Sequence, residues 1–156
     1  MTYSHNIGYI LKDVTKGIIV QQVNAQGVMG SGIALGIKTK WPKVWEEYSK
    51  SILPNQPDKG LSYMGKVLYV EVEPGLWIAN IVGQQFYGNT PGRVYTSYEA
   101  LEMGFNSIKH FASNNNLDVH YPTIGCGLGG GDWTRVSSII SASLDTITHG
   151  LWELPK

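Results

Sequence analysis

Short apolar runs alternate with segments of helical periodicity along most of the chain. Gly17 to Val23 is β-branched and apolar, which predicts a buried strand. Lys66 to Val72 and Leu76 to Val82 flank Glu73-Pro74-Gly75 and predict a β-hairpin. The remaining predicted strands are Ile7 to Asp13, Asp118 to Thr123 and Leu151 to Leu154.

Helical spacing predicts elements between these strands. Gly32 to Thr39 forms a short helix, and a second helix follows with Pro42 in its first turn, because proline cannot occupy an unbroken helix interior. Thr96 or Ser97 is expected to cap a third helix, and Asp132 a fourth. Helices that alternate with strands favour an α/β sandwich.

Two glycine clusters follow predicted strands and precede predicted helices. The first glycine loop is Asn24 to Gly32 (Asn-Ala-Gln-Gly-Val-Met-Gly-Ser-Gly), and the second glycine loop is Gly125 to Asp132 (Gly-Cys-Gly-Leu-Gly-Gly-Gly-Asp). Glycine lets backbone approach a ligand closely, and a helix N-terminus offers unpaired N–H groups and a positive dipole end. The two loops therefore predict one phosphate-bearing ligand held between them.

Composition narrows the class of partner. The chain has 156 residues, 12 Lys+Arg and 12 Asp+Glu, which indicates one domain over 1–156 and argues against broad capture of duplex nucleic acid. A small site for a nucleotide or a chain end remains open. The sequence shows neither a run of about 18 apolar residues nor a signal-peptide pattern, so we expect a cytoplasmic protein, in the host cytoplasm if it is viral. We also expect a monomer.

Several segments resemble known functional motifs but lack residues that those motifs require. Gly60 to Val67 has P-loop spacing through its lysine, but Val67 stands where Ser or Thr should bind magnesium. The glycines of the first loop do not match the G-x-G-x-x-G fingerprint. Cys126 is the only cysteine, and no histidine is placed by sequence to activate it. The histidines lack metal-ligand spacing, so no metal site and no cofactor are predicted.

The roles of two aspartates stay open at this point. Asp132 suits a helix N-cap, or it could face the ligand. Asp13 could hydrogen-bond its own turn, or accept from an amino group such as that of adenine. The glycine-rich and polar segment from Gln84 to Val94 predicts a loop at the mouth of a site.

The order of these motifs resembles a known family. Asp13-Val14-Thr15, Val23-Asn24-Ala25 with its glycine loop, and Pro122 to Gly130 are together similar to the macrodomain, an ADP-ribose-binding module. The resemblance implies a three-layer α/β/α sandwich with a central mixed, mostly parallel sheet. The two loops are most similar to a branch with three kinds of member: terminal ADP-ribose protein glycohydrolases, antitoxins that remove ADP-ribose from DNA, and ADP-ribose-1''-phosphate phosphatases of yeast and phages.

The resemblance also assigns residues to parts of ADP-ribose. Asp13 and the backbone of Val14 would hold the adenine edge, and Asn24 would face the distal ribose. The first loop would line ribose and diphosphate, and the second would wrap the diphosphate. The residues carried over for the loops are Gly30, Ser31, Gly32, Ile33, Gly125, Cys126, Gly127, Leu128, Gly129 and Gly130.

Two departures from the glycohydrolases of this branch affect the expected chemistry. Their catalytic lysine would fall at or near Gln84, and the human-type enzyme has an aspartate directly after its Gly-Cys-Gly-Leu segment, where this chain has Gly129. The leading expectation is therefore an ADP-ribose-1''-phosphate phosphatase, with Asn24, Gln84 and Asp132 as candidate catalytic residues and His5 or His120 as acids if the fold brings them close. The alternatives are a non-catalytic binder of ADP-ribose or a related NAD-derived signal, and a hydrolase that removes ADP-ribose from protein or nucleic acid.

Overall fold

The computed structural model describes residues 2–30 and 32–156 as helices on both faces of one six-stranded sheet. The strand order is β1-β6-β5-β2-β4-β3, and every pairing is parallel except that of β3 with β4. The strands are β1 (Tyr3–Ile7), β2 (Gly17–Asn24), β3 (Val67–Glu73), β4 (Leu76–Gln84), β5 (Val119–Tyr121) and β6 (His149–Glu153). The α-helices are α1 (Ile10–Asp13), α2 (Gly32–Lys40), α3 (Pro42–Ser51), α4 (Tyr98–Asn115) and α5 (Trp133–Ser143), and a 3-10 turn spans Leu61–Tyr63.

Alternate residues of β2 enter two separate cores. Ile18 and Val20 pack in one core with α4 and α5, whereas Ile19 and Val23 pack in the other with α1, α2 and α3. A strand buried on both faces must be apolar almost throughout, as the sequence of β2 is. The expected α/β/α sandwich with a mostly parallel sheet is thus confirmed.

Local sequence signals place the helix ends. The Ser97 side chain accepts from the Ala100 N–H at 3.2 Å, and Asp132 accepts from the Thr134 N–H at 3.1 Å, so both predicted N-caps are confirmed. Pro42 lies in the first turn of α3, directly after the break that separates it from α2. None of the helices in the described ranges is long and apolar enough to cross a membrane.

The prediction for the N-terminal region was wrong. A strand was expected from Ile7 to Asp13, but β1 ends at Ile7 and the chain turns into the short α1. The Asp13 carboxylate accepts from the Tyr9 N–H at 2.8 Å and closes this turn. β1 is an edge strand with little burial on either face, so it lacks the apolar alternation that would have revealed it.

Candidate functional site

A crevice opens at the carboxyl end of β2 because its neighbour β5 is short. β5 pairs with β2 only at Ile18 and Ile19, and then turns away at Pro122. After β2 the chain forms β3 and β4, which lie to one side of β2 in the strand order, and it then returns to form β5 on the other side of β2. Open α/β sheets bind ligands where the strand order reverses in this way. The resulting cavity has a volume of about 910 Å³.

Both glycine loops line this cavity. The first loop contributes Asn24, Val28, Gly30 and Gly32, followed by Ile33 and Ala34; the second contributes Gly125, Gly127, Leu128 and Gly129. The floor and the remaining walls are formed by Gln21, Gln22, Val23, Gln84, Tyr87, Gly88, Asn89, Pro122, Thr123 and Ile124. The expectation of one ligand site between two loops therefore matches the geometry.

The side chain of Asn24 organises the first loop. Its Oδ1 accepts from the N–H groups of Gln26 at 2.9 Å and Val28 at 3.3 Å, and its Nδ2 donates to the Val28 carbonyl at 2.8 Å. The Tyr48 hydroxyl lies 2.6 Å from the Asn24 carbonyl oxygen and accepts from the Gly27 N–H. Burial raises the pKa of Tyr48, so this hydroxyl stays a donor. Among the described residues, the second Nδ2 hydrogen of Asn24 has no acceptor.

The second loop is held by its own backbone and by a neighbouring segment. The Gly125 carbonyl accepts from the Gly131 N–H at 2.7 Å, and the Gly129 carbonyl accepts from the Tyr95 N–H at 2.8 Å. Within the described residues, the N–H groups of Gly127, Leu128 and Gly129 have no acceptor in the protein. Successive backbone N–H groups without an acceptor, on residues that line a cavity, are suitable donors for an anion.

The described lining contains no Asp, Glu, Lys, Arg or His side chain. The donors that this described lining offers to an anion are therefore neutral: peptide N–H groups, side-chain amides and the hydroxyl groups of Tyr87 and Thr123. The Gln84 amide is itself engaged, since Oε1 accepts from Gln22 Nε2 at 2.7 Å and Nε2 donates to the Phe86 carbonyl at 2.7 Å. Neither Gln84 nor Asn24 can act as a strong base.

Comparison with known proteins places this architecture in a family. A profile of the Macro domain matches residues 20–140, more than half of the chain. The chain belongs to the Macro domain family. The DNA ADP-ribosyl glycohydrolase of Mycobacterium bovis is 27% identical over 143 residues, which is 89% of this chain. The chain spans only 38% of the length of that relative.

Solved structures agree with the assignment. A macrodomain protein from Streptomyces coelicolor superposes with a TM-score of 0.77 at 28% identity, covering 97% of this chain and 99% of that one. The macrodomain of Mycobacterium tuberculosis DarG gives a TM-score of 0.80 at 23% identity, with 99% of each chain covered. The latter similarity supports the fold.

In this Macro domain, close packing explains why residue 129 is glycine. A Cβ on Gly129 would lie 2.5 Å from Thr96 Oγ1 and 2.7 Å from the Gly125 carbonyl oxygen. Both distances are far below van der Waals contact, so the aspartate found there in the human-type glycohydrolases does not fit this loop conformation. The structure thus gives a steric reason for one of the two departures noted in the sequence.

Among the described residues, the lining does not include five that the sequence analysis singled out: Asp13, Val14, Cys126, Gly130 and Asp132. Asp13 closes its own turn, next to Val14 at the end of α1. Asp132 caps α5, and its predicted catalytic role stays a prediction without a supporting contact. Gly130 and Cys126 belong to the second loop but do not line the cavity. Burial raises the pKa of the Cys126 thiol, and the charge of Asp132 raises it further, which disfavours a thiolate nucleophile. Ser31 lies outside the described residues.

The fold does not bring His5 or His120 into the cavity lining. His5 is exposed on β1, 3.7 Å from the Glu153 carboxylate. His120 accepts a hydrogen bond from Trp152 Nε1 at 3.1 Å, and burial lowers its pKa despite the opposing effect of Asp118. Sequence reasoning anticipated the 84–94 loop, whose Tyr87, Gly88 and Asn89 line the cavity, but it missed Gln21 and Gln22 in the lining. It also missed the contact of Thr96 with the second loop.

Proposed function

We propose that this Macro domain protein binds ADP-ribose and hydrolyses ADP-ribose-1''-phosphate to ADP-ribose and phosphate. The observation that carries the proposal is the row of three free amides at Gly127, Leu128 and Gly129, opposite the first glycine loop. A cavity of about 910 Å³ is large enough for a nucleotide-sized ligand. The resemblance in sequence and the shared family support ADP-ribose as that ligand.

In the proposed binding mode, the diphosphate lies on the second-loop amides. The distal ribose lies near the free N–H of Asn24 Nδ2 and near the Gln84 amide, which both line the cavity. Adenine extends towards Asp13 and Val14. The first loop, through Gly30, Gly32 and Ile33, covers the ribose and diphosphate from the opposite side.

Hydrolysis in this site depends on positioning and on hydrogen-bond donors. Neutral amides cannot remove a proton as a strong base would, but they can orient a water molecule and stabilise negative charge on phosphoryl oxygens. Asn24 and Gln84 are the cavity-lining candidates for orienting that water. We therefore expect modest turnover together with firm product binding.

Two measurements on the same preparation test the proposal. Isothermal titration calorimetry should show ADP-ribose binding, and a phosphate assay should show release from ADP-ribose-1''-phosphate. Binding without phosphate release would leave a non-catalytic ADP-ribose binder and refute the phosphatase proposal. A failure to bind ADP-ribose would refute the ligand assignment itself.

A second candidate function is removal of ADP-ribose from nucleic acid. It is favoured by the relative named DNA ADP-ribosyl glycohydrolase, which is 27% identical to this chain. Incubation with a single-stranded DNA oligonucleotide bearing ADP-ribose should then release free ADP-ribose, detectable by mass spectrometry. An ADP-ribosylated peptide is the matched control. Release from the oligonucleotide alone would favour this activity over the phosphatase.

A further inference from the structure

We infer that Thr96 and Gln22 are positioning residues that hold the second glycine loop in the conformation in which the N–H groups of Gly127, Leu128 and Gly129 have no acceptor among the described residues. The inference concerns the loop itself, and only its consequence for ADP-ribose affinity rests on the proposed function. Thr96 precedes α4, and Gln22 belongs to β2, so neither is part of the loop. They are 74 residues apart in sequence.

Thr96 clamps the second loop at two points. Its Oγ1 donates to the Gly125 carbonyl at 2.8 Å, and its backbone N–H donates to the Gly129 carbonyl at 3.1 Å. The residues between these two carbonyls include Gly127 and Leu128, whose N–H groups have no acceptor in the described part of the chain. The clamp therefore fixes both ends of the segment that is proposed to bind the anion.

The loop packs directly against the Thr96 hydroxyl. An added Cβ would lie 2.5 Å from Oγ1 at Gly129 and 2.9 Å from it at Gly125. Such close approach leaves no room for a side chain at Gly125 or Gly129 with the hydroxyl in place. The Thr96 hydroxyl thus packs closely against the loop at both clamped residues.

Gln22 holds the hydroxyl in place. Its Nε2 donates to Thr96 Oγ1 at 3.0 Å and to Gln84 Oε1 at 2.7 Å. The direction of these bonds is fixed, because Thr96 Oγ1 donates onward to the Gly125 carbonyl and Gln84 Nε2 donates to the Phe86 carbonyl, and carbonyls can only accept. One side chain on β2 thereby joins the second loop to the start of the 84–94 loop.

The remaining polar atom of Gln22 argues against a purely stabilising role. Its Oε1 is buried and has no hydrogen-bond partner among the described residues. An unpaired buried acceptor costs free energy and offsets much of what the two donated bonds contribute. Gly83 leaves space for this atom, since a Cβ there would lie 2.4 Å from Oε1. The main effect of the Gln22 hydrogen bonds is therefore to fix the geometry of the second loop, and their net contribution to the free energy of unfolding is small.

The single cysteine gives a direct probe of the loop. Cys126 lies between the two clamped carbonyls and is half-buried, with Sγ 3.3 Å from the Ile124 carbonyl oxygen. Its reaction with the thiol reagent DTNB at constant pH should accelerate when the loop loosens, whether or not any ligand binds. ADP-ribose affinity and the melting temperature are measured on the same variants.

Thr96→Val removes the hydroxyl while keeping the shape of the side chain. It should speed DTNB modification and weaken ADP-ribose binding, each by about fivefold, the factor expected for one lost hydrogen bond. Thr96→Ser should restore both values, and Thr146→Val, at an exposed threonine, should change neither. Gln22→Met should change the DTNB rate and the ADP-ribose affinity as Thr96→Val does, with only a small change in melting temperature. It replaces Thr96→Val as the test if that variant does not fold.

The outcomes separate the inference from the proposed function. If the variants react faster with DTNB but the wild type does not bind ADP-ribose, the role of Thr96 and Gln22 is supported and the proposal that ADP-ribose is the ligand is refuted. Unchanged DTNB rates in both Thr96→Val and Gln22→Met would overturn the inference. It would also be overturned if the DTNB rates rose only in proportion to a fall in melting temperature, since that is the signature of a merely structural role.

Discussion

Substitution of Gly127 by glutamate tests the anion site without disturbing the fold. Gly127 lines the cavity, and within the described part of the chain no heavy atom lies within 4 Å of the position a Cβ would take. Its φ is outside the left-handed region, so the backbone accepts a side chain without strain. Gly127→Glu should therefore fold normally while placing a carboxylate beside the free amides.

The expected loss of affinity follows from Coulomb's law. At about 6 Å and an effective dielectric constant of about 40, between the values for protein surface and bulk water, each like-charge pair costs about 1.4 kcal/mol. A diphosphate carries two negative charges, which gives roughly 3 kcal/mol and about a 100-fold weaker binding constant. Added salt should reduce this penalty, because the cavity is open to solvent.

Calorimetry with ADP-ribose measures the effect against two controls. Gly127→Gln adds nearly the same volume without charge and should weaken binding less than tenfold, about 1 kcal/mol or less. Asn106→Glu adds the same charge on the exposed face of α4 and should leave affinity near that of the wild type. Equal losses for Gly127→Glu and Gly127→Gln would refute the electrostatic reasoning, and unchanged affinity in Gly127→Glu would refute the placement of the ligand.

Two further predictions concern stability. In Gly104→Ala the new Cβ would lie 2.5 Å from Ile81 Cγ2. This overpacking outweighs the gain in helix propensity, so the substitution should lower the free energy of unfolding by about 1–2 kcal/mol. Its matched control is Gly36→Ala, which meets only the flexible end of Leu11 and should be neutral or stabilising in urea denaturation. Burial lowers the pKa of His120, so its stabilising contribution is present above the unfolded value of 6.5 and is lost as pH falls below it. His120→Asn should therefore reduce the loss of stability between pH 7.5 and pH 5.5 in urea titrations, and an unchanged loss would contradict this assignment.

Local signals in the sequence were sufficient for most of the fold. Pro42, Ser97 and Asp132 each mark a helix start through chemistry that involves only neighbouring residues. The sequence of β2 predicts a strand because both of its faces are buried, which requires a short and mainly apolar run. The position of the N-terminal strand was predicted wrongly because β1 lies at the sheet edge and is mostly exposed.

The candidate site was predictable only in part. Glycine clusters reveal where backbone can meet a ligand, and most of the loop residues expected there do line the cavity. The contacts that shape the loops are long-range: Gln22 and Thr96 meet across 74 positions of sequence. No periodicity or spacing marks such a pair, so their part in the site emerges only from the folded chain.

The shortness of β5 couples ligand binding to the stability of the whole molecule. The cavity lies against the edge of β2 that β5 leaves unpaired, and β2 contributes to both cores. A ligand bound there stabilises the element on which both layers depend, and at a concentration 100 times its Kd it adds about 2.7 kcal/mol to the free energy of unfolding. For a chain of this size, at 2–4 °C per kcal/mol, that corresponds to a rise of roughly 5–11 °C in melting temperature. Thermal-shift screening of phosphorylated nucleotides and sugars can therefore identify the natural ligand before any reaction is known.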